Sequence, residues 1–386
     1  VSAPARPLLA GRARMGVFVR ALRAVAVPYV VARVVVLAAL GIAHLVVSRG
    51  HASPAVIFRV HQGLLAWDAG FYESIAHFGY APFGHQALRF FPLLPLVARA
   101  LGTTGLPDAA GVVVVANVGA LMGTVLLVLL VRRETGDEQL ARRSAWVLSL
   151  APPAFCLVLG YAEGLLLALS VGCFLCIRPA AGSRPRWWWA AGLGYAAALT
   201  RPLGVLVAFA VLAEGVRWWQ RAQGAERLGI LAALAGPPAG IVTFLGWSAA
   251  AEGDFWLPLR VQTSAGHHGG LSDPVATVLH DADGVLHHHL GTALHVPWVL
   301  LVVVLVVAAW RTLPASYGAF ATAVVAVAVT GTNLDSFERY ALSAFPLVVV
   351  VAMALRTRWF ERAVLTGSGA LLFAYSLAAF LNRLVP

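Results

Sequence analysis

Residues 27–47, VPYVVARVVVLAALGIAHLVV, form an apolar run of 21 positions that admits one arginine, Arg33, and one histidine, His44. A helix rises 1.5 Å per residue, so the run covers roughly 30 Å, the depth of a bilayer's hydrocarbon core. Five arginines (Arg6, Arg12, Arg14, Arg20, Arg23) precede it. The run is too long for the core of a cleaved signal and no cleavage site is clear. It reads as a retained first transmembrane helix, with residues 1–26 as a cytoplasmic N-terminus.

The rest of the chain repeats this pattern. Of 386 residues, 60% are hydrophobic and 12% charged, about half the charge of a soluble domain. The net charge of +11 comes entirely from arginine, for the chain has no lysine. The arginines stand in short groups between apolar runs, as topology signals do, so no nucleic-acid partner is expected. Cys156, Cys173 and Cys176 all lie in apolar segments. Cys173 and Cys176 have metal-pair spacing but no second pair, and read as small helix-packing residues.

Apolar runs predict helices near 27–48, 109–131, 142–159, 161–178, 187–200, 202–216, 228–250, 296–312, 315–331, 340–355 and 361–382. The fold class is all-α: a polytopic transmembrane helical bundle of about 10–11 helices. The pieces at 187–200 and 202–216 meet at Arg201-Pro202, so they are two half-depth helices or one kinked hairpin. Nineteen arginines, at 6–23, 132–143, 178–186, 217–227, 311 and 356–362, fall on one side of this scheme. Eight (Arg49, Arg59, Arg89, Arg99, Arg201, Arg260, Arg339, Arg383) fall on the other, and Arg33 could snorkel from within the first helix. The excess makes the first side cytoplasmic, in a cell (plasma) membrane. The chain then reads as one membrane-embedded domain, 1–386. Its outer features are a large loop at 49–108, with an interfacial helix near Phe90–Leu101, a second loop at 251–295 and a short one at 332–339.

Within the first outer loop stands Ala66-Trp67-Asp68-Ala69-Gly70-Phe71-Tyr72-Glu73. An acid beside aromatics and a glycine, next to a bilayer, suits a general base, because partial desolvation raises its pKa towards working pH. An N-cap carboxylate is the plainer alternative. Glu163, at the turn Gly160-Tyr161-Ala162-Glu163-Gly164, either neighbours that acid and orients an arginine or is a solvated turn residue. Arg201, at a helix break, offers a planar fork to phosphate oxygens, or else snorkels. Arg339, in Asp335-Ser336-Phe337-Glu338-Arg339-Tyr340, binds an anion or pairs with Glu338 or Asp335. His77, His85 and Arg89 lie near the presumed chemistry without a fixed role. Seven histidines between 267 and 295 suggest a metal, but their spacing matches no ligand pattern.

Taken in order, Trp67-Asp68-Ala69-Gly70-Phe71-Tyr72, Gly79-Tyr80, Phe90-Phe91-Pro92-Leu93-Leu94-Pro95, Ala151-Pro152-Pro153-Ala154-Phe155, Gly160–Gly164, Leu199-Thr200-Arg201-Pro202, Arg339-Tyr340 and Phe345-Pro346 resemble the GT-C glycosyltransferases. Among those they resemble bacterial relatives of the GPI second mannosyltransferase (PIG-V-like) family, over roughly residues 25 to 350. The resemblance implies an inverting glycosyltransferase that moves a sugar, mannose by analogy, from a polyprenyl-phosphate donor at the outer face. The acceptor would be a glycan, a glycolipid or a protein. In such enzymes the first-loop acid is the base, which maps onto Asp68; Arg201 and Arg339 are the expected donor phosphate-binding residues. Trp67, Tyr72, Glu73, His77, Arg89, Glu163 and Tyr340 are expected in supporting or acceptor-binding positions. Many relatives carry two adjacent acids in this loop. Here Trp67 precedes Asp68 and the next acid is Glu73, so no cofactor is expected; a divalent metal is the alternative and is not expected. The rival from another class is a lipid or solute transporter or flippase, which would suit intramembrane charge and a broken helix. The lack of an internal repeat, and polar residues clustered outside the midplane, argue against it.

Overall fold

A computed structural model describes residues 6–50, 52–264, 272–279, 295–332, 334 and 336–384 of the chain. Among them the regular structure is helical throughout. Six helices are long and apolar enough to cross a membrane: Met15–Ser48, Asp108–Thr135, Pro202–Trp219, Ala225–Glu252, His295–Thr312 and Arg358–Phe380. A seventh arises if the bent pair Phe337–Ser343 and Phe345–Ala354 is one span. The chain is a multi-pass membrane protein. The ten or eleven expected runs are helical, but several are shorter than a bilayer requires.

The first helix, α1 (Arg6–Ser48), extends well before the apolar run. It buries Ala21, Val25, Ala32, Val36, Ala39 and Ala43, a face of small side chains that admits close neighbours. Val27, Val30, Val34 and Leu37 point outward at 48–59% exposure, as lipid-facing residues do. Arg33 does not snorkel to an interface. Its Nε donates to Asn117 Oδ1 at 3.1 Å and its Nη2 to the Leu157 carbonyl at 2.7 Å.

The loop at 49–108 folds as α2 (Pro54–Gln62), α3 (Asp68–Phe78), a 3-10 stretch (Ala81–Arg89) and α4 (Leu93–Gly102). Tyr72, Ile75, Phe90, Leu94 and Ala98 pack with Val112 and Val115 of α5 (Asp108–Thr135). The loop is thus docked on the bundle by a small apolar core of its own.

The expected helix at 142–159 ends early. α6 (Glu138–Leu150) begins where the Asp137 side chain accepts from Gln139 and Leu140 amides at 2.8 and 2.9 Å. It stops before Pro152-Pro153, and a 3-10 segment, Pro152–Leu157, replaces it. The carbonyls this break releases find other donors: Arg33 takes Leu157, and Asn117 Nδ2 donates to Val158 at 2.8 Å. α7 (Glu163–Ile177) then packs backbone-close on α5. A Cβ on Gly164 would lie 2.5 Å from the Ala116 carbonyl oxygen, and one on Gly119 would lie 2.7 Å from the Leu165 amide nitrogen.

Further helices among the described residues are α8 (Trp187–Thr200), α9 (Val207–Trp219), α10 (Ala225–Glu252), α11 (Leu257–Gln262), α12 (His295–Thr312), α13 (Ala315–Val329), α14 (Phe337–Ser343), α15 (Phe345–Ala354) and α16 (Arg358–Phe380). At Arg201-Pro202 the chain turns through a 3-10 step, Pro202–Leu206, that continues into α9. The expected helix at 340–355 is likewise two pieces, bent by 85° before Pro346. One end of the bundle is tied by Arg178, which donates to Glu134 (2.6 and 3.0 Å) and to the buried Glu214 (2.8 Å). Glu214 also accepts from Ser316 Oγ at 2.8 Å, so α5, α7, α9 and α13 share one polar knot.

Candidate active site

Three separate breaks in helical structure deliver the charged side chains. Asp68 is the first residue of α3, Glu163 the first of α7, and Arg201 caps the end of α8. Arg339 lies one turn into α14. The turn before α7 is joined to the loop by the Gly160 amide, which donates to the Leu64 carbonyl at 2.9 Å. That bond brings Glu163 within reach of the Trp67-Asp68 corner.

The four side chains alternate in charge. Arg339 Nη1 donates to Asp68 Oδ2 at 2.7 Å, and Arg339 Nε lies 3.3 Å from Glu163 Oε1. The same Oε1 accepts from Arg201 Nη1. Glu163 and Arg339 are buried, at 4% and 6% side-chain exposure, whereas Asp68 keeps 29%. Asp68 is therefore the member open to a ligand. Tyr340 stacks beside both cations, with Arg201 and Arg339 each 5.2 Å from its ring centre, and Arg339 is 5.3 Å from the Tyr161 ring. A cavity of about 10 Å³ opens beside Glu163 and Arg339, one water in size; Glu163 Oε2 has no hydrogen-bond partner among the described residues.

Burial alone pushes the Asp68 carboxyl up, but the Arg339 guanidinium, by charge and hydrogen bond, holds it below the usual carboxylate range. Arg201 and Arg89 add to that pull. Burial is the largest single influence, and the three arginine charges with the Arg339 hydrogen bond together outweigh it. Burial pushes the Tyr72 phenol up to about 12, with Arg201 pulling the other way, so the hydroxyl stays protonated and able to donate.

Trp67 shapes the corner. Its φ of 61° is a left-handed conformation unusual for a bulky residue. Its indole Nε1 donates to the Ala379 carbonyl of α16 at 3.0 Å, and the Arg59 guanidinium sits 3.9 Å from its ring centre.

Of the residues singled out in the sequence, Asp68, Glu163, Arg201, Arg339, Tyr340, Tyr72, Trp67 and Arg89 gather here. Arg89 lies close enough to act on Asp68 and Arg339, and its Nε has no hydrogen-bond partner among the described residues. His77 does not join them. It sits at the far end of α3, 55% exposed, with Nδ1 2.8 Å from Asp108 Oδ2. Glu73 is also apart: five residues past Asp68 it faces another side of α3, next to Ser74. Glu338 does not pair with Arg339; it accepts from His295 Nδ1 at 2.7 Å, both buried. Asp335 lies outside the described residues, as do His267, His268, His280 and His287–His289. Among the described residues no three His, Cys, Asp or Glu side chains converge as metal ligands would.

Two further residues join the site. Arg59 acts electrostatically on Asp68 and Tyr161, and the Tyr161 ring faces Arg339. A signal existed for Arg59: of the eight arginines on the sparsely charged side, Arg59, Arg89, Arg201 and Arg339 all gather around Asp68.

The oligosaccharyltransferase of Archaeoglobus fulgidus, crystallised as a complex with Zn and sulfate, is similar to this chain at 13% identity and a TM-score of 0.42. The likeness covers 81% of this chain and 48% of that one, so the chain spans about half the length of the structure it matches. A likeness of that degree fixes neither family nor activity. No protein-family model and no curated protein matches the chain.

Proposed function

We propose that the chain is a membrane glycosyltransferase of GT-C type that transfers a sugar, mannose by family resemblance, from a polyprenyl-phosphate donor to an acceptor hydroxyl with inversion. The observation that carries this reading is the alternating row Asp68–Arg339–Glu163–Arg201, with Arg89 and Arg59 beside it. Four guanidinium groups against two carboxylates leave two positive charges uncompensated, an arrangement that suits an anionic leaving group. The sequence pieces that resemble the family, from Trp67-Asp68 through Gly160–Gly164 and Arg201-Pro202 to Arg339-Tyr340, meet in the same place.

In the reaction the acceptor oxygen attacks the anomeric carbon from the face opposite the phosphate. The new carbon–oxygen bond forms as the bond from carbon to phosphate oxygen breaks. The acceptor proton passes to the Asp68 carboxylate, and polyprenyl phosphate leaves with one more negative charge, which Arg339 and Arg201 stabilise. At rest Asp68 is a weak base, because Arg339 holds its proton affinity down. A donor phosphate that competes for Arg339 loosens that hold. The carboxylate then becomes more basic when the donor is bound.

The test is transfer in membranes supplied with labelled polyprenyl-phosphate mannose, with wild type compared to Asp68→Asn and both lipids and proteins extracted. Product in wild type that vanishes in the variant at equal expression supports the reading and identifies the acceptor class. Equal product from both removes Asp68 as base. No product from wild type with this or other lipid-linked sugars turns the reading towards a transporter.

A further inference from the structure

We infer that the opposite end of the bundle holds a binding site for an anionic glycerophospholipid, resting on the membrane-spanning character of the helices and not on the proposed chemistry. A pocket of about 990 Å³ opens where α1, α6 and α16 meet, below the end of α5. It is roughly 36 Å along α5, from Asp108 to Arg132, away from the loop that carries Asp68.

The lining combines two chemistries. Pro28, Trp146 and Leu365 give an apolar inner wall with the exposed Val27 at its edge, and Arg23, Arg142, Arg358 and Arg362 stand exposed around it. The two acids in the lining are already engaged: Glu138 lies 2.6 Å from Arg132, and Glu361 accepts from Arg143 at 2.8 Å. Among the described residues no carboxylate pairs with the four exposed arginines.

Chemistry of this kind is found where a phosphate headgroup meets its acyl chains. Trp359 and Phe360, 77% and 41% exposed beside Arg358, mark the headgroup level as interfacial aromatics do. From Val27 the outward face of α1 continues through Val30, Val34 and Leu37, at helical spacing, and gives an acyl chain an uninterrupted apolar lane away from the arginines. An inorganic phosphate would use the charges and leave that lane unused, so the lipid is the occupant the geometry favours.

The purified full chain, exchanged into micelles from vesicles of equal phosphatidylglycerol and phosphatidylcholine, is examined by native mass spectrometry. Wild type is expected to retain phosphatidylglycerol over phosphatidylcholine. The variant R23Q/R142Q/R358Q/R362Q is expected to retain at least about tenfold less, since each basic group near a lipid surface is worth roughly fivefold. The double variants R23Q/R142Q and R358Q/R362Q each lose part of the retention, and keep the test available if the fourfold variant is not recovered. A control, R184Q/R221Q/R227Q/R311Q, removes the same charge outside the pocket and is expected to match wild type. Equal retention of phosphatidylcholine, equal loss in control and pocket variants, or displacement by millimolar inorganic phosphate would each overturn the inference.

Discussion

Arg339 and Asp68 stand 271 positions apart in the chain and share a 2.7 Å hydrogen bond. Each lies just inside a short helix whose preceding residue has left-handed backbone, Trp67 with φ 61° and Ser336 with φ 64°. Neither is glycine, so each entry costs about 1–3 kcal/mol. Strain therefore flanks the ion pair on both sides, and at Trp67 the bond to Ala379 and the contact with Arg59 hold it in place.

Asp68→Asn is expected to lower sugar transfer by roughly 10²- to 10⁴-fold, the usual contribution of a general base. Donor binding should survive, since the arginines remain. Labelled-donor retention and product formation, measured side by side in membranes, separate the two effects. Loss of donor binding in parallel would make Asp68 a structural anchor.

The pH dependence of stability should report the same pair. The folded Asp68 carboxyl is held below its unfolded value, about 3.9. The stability it contributes is present above that value and lost as pH falls through the folded one. The gap in thermal stability between wild type and Asp68→Asn should thus narrow below about pH 4. Unfolding in detergent between pH 6 and pH 3 checks this; a constant gap would mean the carboxyl is not held low.

Glu163→Gln leaves Arg201 and Arg339 facing each other without a full counter-charge in a buried place. Removal of one partner from such a pair typically costs about 3 kcal/mol or more. Arg201→Lys keeps the charge but loses the planar fork, and is expected to weaken donor retention with little change in stability. Chemical unfolding and donor retention distinguish the two variants.

Gly164→Ala tests the helix contact that carries Glu163. The added methyl meets the Ala116 carbonyl oxygen at 2.5 Å, whereas a methyl on Gly192, the control, meets nothing within 4 Å. The first variant should lose several degrees of thermal stability in detergent and the second should lose none. Equal stability would show that α5 and α7 can separate without consequence.

Much of the site was legible because it is built from exceptions. An acid in an apolar loop, arginines on the sparsely charged side and a proline at Pro202 all violate the local rule, and Asp68, four of those eight arginines and the Arg201-Pro202 break come together. The pairings were less legible. Arg339 has acids at 335 and 338 in its own sequence, yet its partners are Asp68 and Glu163, contributed by helices distant in the chain. Helix ends were misjudged where apolar composition ran through Pro152-Pro153: hydropathy counts side chains, while the break is made by a missing amide hydrogen. His77 looked near in sequence and is distant because α3 carries it to the other end of a rigid rod.

The contact between Gly164 and Ala116 has a mechanical side. Glu163 is fixed against α5 by touching backbones that leave no slack for sliding. Arg339 stands on a seven-residue helix set at 85° to its successor. The spacing between Glu163 and Arg339 is thus set by a backbone contact on one side and by a bent pair of short helices on the other.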